Sequence, residues 1–78
     1  MVEKEIVETI VKNLVDDPSS VNIKVVEGEK STILELRVAK NDVGKVIGKK
    51  GFIVKSIRTI INAVSVKNGH RVLLEIID

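Results

Sequence analysis

Apolar residues recur at intervals of three and four along the first part of the chain: Ile6, Val7, Ile10, Val11, Leu14 and Val15. That spacing gathers them into one stripe and predicts an amphipathic helix over residues 3–15. Glu3, Glu5 and Glu8 lie toward its N-terminal end, where carboxylates favour the helix dipole. Pro18 stops the helix, because it disfavours helical geometry at Asp17 and lacks the N–H that would continue the ladder. The period then shortens to two. Val21, Ile23 and Val25 alternate with Asn22, Lys24 and Val26, the pattern of a half-buried strand over 21–27. Glu27-Gly28-Glu29-Lys30 reads as a turn with Gly28 free to take positive φ. A second strand over 32–39 turns Leu34, Leu36 and Val38 to the core and Glu35 and Arg37 outward. So short a connection makes the pair an antiparallel hairpin.

In the second half the helical period returns. Asn41 or Asp42 caps a short helix over roughly residues 42–47, which Gly48-Lys49-Lys50-Gly51 interrupts. A longer helix follows over 51–65, with Val54, Ile57, Ile60, Ile61 and Val64 as its buried stripe. Lys55, Arg58, Thr59 and Asn62 fall on its polar side. Asn68-Gly69 is a turn signal, and Val72, Leu74 and Ile76 then alternate with Leu73, Glu75 and Ile77 in a last strand. The order is α-β-β-α-α-β. An α+β sandwich satisfies it, with a three-stranded mixed sheet and helices on one face. The last strand returns through two helices, long enough for a parallel crossover beside the central strand.

Length and composition narrow the class. The 78 residues make a single domain over 1–78, with no linker, repeat or low-complexity tract. Cysteine is absent and apolar residues, nearly all aliphatic, make up 44% of the chain. The composition is that of a core-forming chain without disulfides, as suits a reducing compartment. No apolar run exceeds four residues, far below the roughly 20 that a membrane-spanning helix needs. A cytoplasmic protein without a membrane segment is the expectation. The net charge of +2 is unevenly distributed. Residues 1–39 carry eight acidic and five basic side chains, whereas residues 40–71 carry eight basic side chains and Asp42 alone as an acid. One segment therefore concentrates positive charge, as a face that meets a polyanion does, although a solvated helix face has the same look.

The centre of that segment is Val46-Ile47-Gly48-Lys49-Lys50-Gly51. Two glycines three apart between two helices make a turn without β-carbons at its ends, which a nucleic-acid backbone can approach closely. Exposed amides and the start of the next helix favour phosphate oxygens, and Lys49 and Lys50 add ammonium groups there. Contacts of this kind are salt-dependent and carry no sequence information. Val46, Ile47, Val54, Leu36 and Val38 are expected to line a narrow aliphatic groove beside the loop, where single-stranded bases are read on their edges. Phe52 is the one aromatic residue, which excludes broad stacking platforms as the main mode.

These residues carry a family resemblance. Ile47-Gly48-Lys49-Lys50-Gly51, followed by Val54 and Ile57, fits the KH pattern I-G-x-x-G-x-x-(I/V)-x-x-I, and the element order resembles the type II KH arrangement. More narrowly, Val43 to Gly51, Ser56-Ile57-Arg58-Thr59, the Val25 to Ser31 hairpin and the Leu74 to Asp78 ending are similar to the small bacterial KhpA (YlqC-type) KH proteins. The resemblance spans nearly the whole chain. It implies single-stranded RNA binding through the Gly48 to Gly51 loop, a homodimer, and pairing with a larger multidomain KH protein of the KhpB (Jag) type. It also implies post-transcriptional regulation or RNA chaperoning linked to cell division, elongation and cell shape. Phe52 departs from the pattern, since relatives commonly carry Arg there. The change removes a phosphate contact and places an apolar ring where it would stack on a base or join a protein interface.

Enzymatic readings fare worse. A P-loop needs G-x-x-x-x-G-K-[ST], but Gly44 and Gly48 are one residue too close and Lys49 is followed by Lys50. His70 is the only histidine, with no cysteine and no close carboxylate expected, so it reads as solvated and not as a metal ligand. Ser56, Thr59 and Ser65 lack a base, and Asp16-Asp17 reads as helix termination. No cofactor and no small-molecule substrate are expected. Gly44 is taken as a close-packing position, while Lys55 and Arg58 either extend the phosphate track or solvate a face. The reading is an RNA-binding module involving Val46, Ile47, Gly48, Lys49, Lys50, Gly51, Phe52, Val54, Lys55 and Arg58. The alternative is a protein-interaction module whose excess aliphatic surface pairs with a second chain.

Overall fold

The computed structural model describes residues 1–77, so Asp78, the last residue of the family-like ending, lies outside the described residues. The elements are α1 (Val2–Leu14), β1 (Asn22–Glu27), β2 (Ser31–Arg37), α2 (Val43–Ile47), α3 (Phe52–Asn68) and β3 (Arg71–Ile76), with single 3-10 turns at Pro18–Ser20, Lys40–Asp42 and Lys49–Gly51. The sheet order is β1-β2-β3. β1 and β2 pair antiparallel, with Ile23 opposite Leu36 and Val25 opposite Leu34. β2 and β3 pair parallel, with Leu34 opposite Leu74. The α2–α3 crossover makes that parallel pairing feasible. The topology is the α-β-β-α-α-β order of the type II KH arrangement, with a mixed sheet.

One sheet face and three helix stripes build the core. Ile23, Leu34, Leu36, Val72 and Leu74 come from the sheet; Val7, Val11, Val46, Val54, Ile57 and Ile61 come from the helices, with Val15 just beyond α1. Removing this aliphatic surface from water is the main stabilising term, at about 25 cal/mol per Å² buried. On the other sheet face Lys24, Val26, Leu73 and Glu75 remain exposed.

Five local expectations change. Gly28 does not take positive φ. Its amide donates to the Ser31 carbonyl at 2.8 Å, and a β-carbon there would lie 3.1 Å from that same oxygen, so the glycine supplies room, not a left-handed turn. β2 ends at Arg37, two residues before the expected end, leaving Val38 half-buried. α3 runs to Asn68, and its buried stripe is Val54, Ile57, Ile61 and Ser65, while Ile60 faces solvent. The Ser65 hydroxyl donates to the Ile61 carbonyl at 2.8 Å, which lets a polar side chain take a core position. Glu3 is buried on α1, with its Oε2 3.3 Å from Ser65 Oγ and 3.4 Å from His70 Nε2. His70 therefore has a carboxylate partner after all, brought to it from the far end of the chain.

The fifth change concerns Asp42. Neither it nor Asn41 caps α2 with a side chain. The Asp42 carboxylate is buried and accepts the backbone N–H of Asp16 at 3.1 Å and of Asp17 at 3.0 Å. It thus ties the end of α1 to the start of α2.

Candidate nucleic-acid interface

α2 delivers the chain to Gly48, whose amide donates to the Gly44 carbonyl at 2.9 Å. The next residues then turn sharply. Gly48 (φ 76), Lys50 (φ 57) and Gly51 (φ 75) all lie at positive φ, and the Gly51 amide closes the turn on the Gly48 carbonyl at 3.1 Å. L-residues resist this geometry because the β-carbon crowds the following carbonyl, so glycine belongs at two of the three positions.

The two glycines do different work. A β-carbon on Gly48 would sit 2.6 Å from Ile53 Cγ1, so this position is closed by the protein's own packing. A β-carbon on Gly51 would meet nothing nearer than Lys55 Cε at 3.8 Å. Gly51 also stands at the N-cap of α3 with no side chain capping the helix. The Phe52 amide donates to the Lys49 carbonyl, and no side chain caps the other leading amides of this 17-residue helix, a setting that suits an anion. Gly44 is not a close-packing position: it is exposed, and a β-carbon there would meet nothing within 4 Å.

Lys49, Lys50 and Lys55 are exposed, and among the described residues none of them pairs with a carboxylate. Lys45, one turn before the loop, pairs with Asp16 at 3.3 Å. Arg58 is engaged differently. Its Nε and Nη2 donate to the Leu74 carbonyl at 3.3 and 3.1 Å, bracing α3 against the sheet's edge strand. The aliphatic residues also divide. Val46 and Leu36 are wholly buried and Val54 nearly so, so they form a floor beneath the site instead of the expected groove wall. Ile47 (37% exposed) and Phe52 (62%) are the apolar side chains presented beside the loop, and Val38 lies half-buried at the end of β2.

A feature the sequence did not announce flanks the site. A cleft of about 330 Å³ runs between α3 and the open edge of β3, lined by Arg58, Thr59 and Asn62 on one side and Val72, Leu73 and Leu74 on the other. The signal for it was split between a helical period of three to four and a strand period of two, which become neighbours only once the crossover is made. Among the described residues no group of histidines and carboxylates is arranged to hold a metal, and no helix is long and apolar enough to cross a membrane.

Residues 4–76 match the family model of the KhpA/KhpB KH domain. The chain is 55% identical over 76 residues to the RNA-binding protein KhpA of Borreliella burgdorferi, covering 97% of this chain and 93% of that protein. It is 57% identical over 74 residues to the RNA-binding protein KhpA of Clostridium acetobutylicum, covering 95% and 99%. Among solved structures it resembles Era of Aquifex aeolicus, with a TM-score of 0.63 and 26% identity over 96% of this chain. It also resembles Era in complex with MgGDPNP and nucleotides 1506–1542 of 16S ribosomal RNA, with a TM-score of 0.62 and 27% identity over 95% of this chain. The chain spans 29% and 28% of those two Era chains.

Proposed function

The chain belongs to the KhpA/KhpB family of KH domains, and from that premise we propose that it binds single-stranded RNA through the Gly48 to Gly51 loop. One observation carries the reading: a turn with three positive-φ residues presents two lysines, unpaired among the described residues, at the N-terminus of a long helix that no side chain caps. In this reading Gly48 and Gly51 shape the loop, and Lys49 and Lys50 hold phosphate, with Lys55 extending the track along α3. Ile47 and Phe52 meet sugar or base, over a floor of Val46 and Val54. Arg58 fixes the edge of the neighbouring cleft through Leu74. Few polar side chains approach the loop, so affinity is mainly electrostatic and sequence preference modest. The names of the relatives support this reading, as does the ribosomal RNA held in one Era structure. The role that suits such a module is cytoplasmic post-transcriptional regulation or RNA chaperoning, bearing on cell division and elongation.

Replacing Lys49 and Lys50 by Asp reverses the charge of the loop without touching the core. Retention of a labelled single-stranded RNA should fall by about tenfold or more, with circular dichroism unchanged. A folded double variant that binds as tightly as the parent would remove the reading.

A second reading is supported by the outer side of α3. Phe52, Ser56, Ile60 and Ala63 recur there at helical spacing and are all exposed, Ile60 at 45%. Such a stripe suits a second copy of the chain or the KH domain of a larger multidomain relative. Sedimentation of the parent and of Ile60→Glu tests it. The stripe predicts a dimer that the substitution dissociates, and a parent that is strictly monomeric yet binds RNA eliminates it.

A further inference from the structure

α2 is only five residues long, and Val46 is its one buried side chain. A helix of that length has little stability of its own, so its position must be imposed from outside. Asp42, at its leading end, is the most specific restraint in view. It is 1% exposed, and its two carboxylate oxygens accept amides from residues 26 and 25 positions earlier in the chain. An aspartate at a helix start ordinarily caps that helix. Here the capping role is given up, and both oxygens are spent on the segment that follows α1. Lys45 adds an outer strap to the same segment through the Asp16 carboxylate. The other end of α2 is Gly48. The leading end of α2 is thus fixed to the segment that follows α1, and its trailing end is the loop.

We propose that Asp42 is a positioning residue for the phosphate loop: by holding the amides of Asp16 and Asp17, its carboxylate sets where α2 places Gly48–Gly51 against the start of α3. The inference rests on the RNA-binding reading above. Asp42 does not touch the ligand; it fixes the register in which loop amides and lysines converge on a phosphate.

The test compares Asp42→Asn and Asp42→Glu with the parent and the Lys49→Asp/Lys50→Asp variant, using a labelled 20-nucleotide single-stranded RNA of mixed sequence. Asparagine keeps one acceptor oxygen but turns an NH₂ donor toward a backbone N–H, so one of the two bonds is lost at nearly constant volume. At a temperature where the variant is folded, its affinity should fall by about tenfold, and the slope of log K against log salt should become shallower as phosphate contacts are lost. Glutamate restores a carboxylate and should recover part of both. If Asp42→Asn does not fold in buffer alone, the comparison is made in trimethylamine N-oxide, which favours the compact state, with the parent in the same solvent. A purely structural Asp42 gives a lowered unfolding midpoint with affinity and salt slope of the folded protein unchanged, and that result overturns the inference. If the parent does not bind, or the double-lysine variant binds normally, it is the RNA-binding reading that has failed. Loss in the double-lysine variant with normal binding by Asp42→Asn refutes the role of Asp42 alone.

Discussion

At the scale of single residues, three glycines within eight positions carry three different physical demands. Gly48 combines positive φ with a β-carbon position 2.6 Å from Ile53 Cγ1. Gly48→Ala must both enter a backbone region close to glycine-only and displace Ile53, so a loss of about 3 kcal/mol or more is expected in urea unfolding. Gly51 has the φ demand without the clash, and its alanine variant should lose about 1–2 kcal/mol. Gly44 has neither. It is a helical glycine with open space around it, so Gly44→Ala should stabilise the protein by up to about 1 kcal/mol. A destabilised Gly44→Ala would contradict this account; a stabilised one with weakened RNA binding would show that a ligand uses the space. The two-glycine spacing was plain in the sequence, and so was the turn it makes between two helices. Which glycine is closed by the protein's own packing and which stands open was not, because that depends on where Ile53 packs. Gly28 shows the same limit: its turn was legible, its reason for being glycine was not.

At the scale of elements, the sequence announced every helix and strand and misplaced parts of their faces. Ile60 and Ser65 on α3 exchange their expected places. A hydrophobic stripe read by spacing alone favours isoleucine, but the helix continues three residues beyond the expected end, and its buried side passes through Ser65. Ser65 is tolerated there because its hydroxyl reaches the Ile61 carbonyl, and because Glu3 and His70 complete a small polar cluster. That cluster joins residues 62 apart in the chain, a separation no local pattern reveals. The Ser65 hydroxyl has one hydrogen to give to two oxygens, and His70 Nε2, 3.4 Å from the buried Glu3 carboxylate, adds a close approach without a hydrogen bond. His70→Ala should therefore cost about 1 kcal/mol or less, measured as a shift of the urea midpoint at constant slope. If the midpoint does not move, the pair is incidental. The turn after α1 adds a pH effect of definite sign. Hydroxyls of Ser19 and then Ser20 donate to Asp17 at 2.6 Å each and hold its carboxyl below the usual 3.8. Because the folded group binds its proton less readily than the unfolded one, its contribution is fully present above about pH 4 and is lost as pH falls through the lowered value. Asp17 is at most half-buried and both hydroxyl partners are exposed, so the effect is small. Ser19→Ala/Ser20→Ala should be less stable than the parent at pH 6 and converge on it near pH 2. A difference that persists undiminished at pH 2 would show that the hydroxyls act by another route.

At the scale of the whole molecule, charge and topology act together. The basic stretch over 40–71 is contiguous in sequence and runs through α2, the loop and α3 to the start of β3. The acidic surplus of residues 1–39 comes mainly from Asp16 and Asp17, which follow α1, with a smaller part from α1 itself; the hairpin's three acids are balanced by three basic residues. Lys49 and Lys50 thus stand as unpaired ammonium groups, among the described residues, within the basic stretch. Within that basic stretch, however, the cations are not equivalent. Lys55 is exposed and unpaired among the described residues, whereas Arg58, one turn later, spends two donors on the Leu74 carbonyl. The sequence left these two side chains with the same pair of meanings, and the edge strand separates them. If Lys55 neutralises one phosphate, Lys55→Ala should weaken binding to every sequence alike and flatten the salt slope by about 0.7, the single-strand value per contact. Arg58→Ala should leave that slope close to the parent's. It should instead lower stability by about 1 kcal/mol, since the lost bond is charge-assisted but reached by solvent. It should also expose an unpaired carbonyl on β3, raising the tendency of that edge to associate with other chains. Salt titrations of RNA affinity, run beside urea unfolding and light scattering on the two variants, distinguish the roles. Equal flattening of the slope by both substitutions would mean that Arg58 releases Leu74 when RNA arrives, and that the brace between α3 and the sheet belongs to the free protein alone.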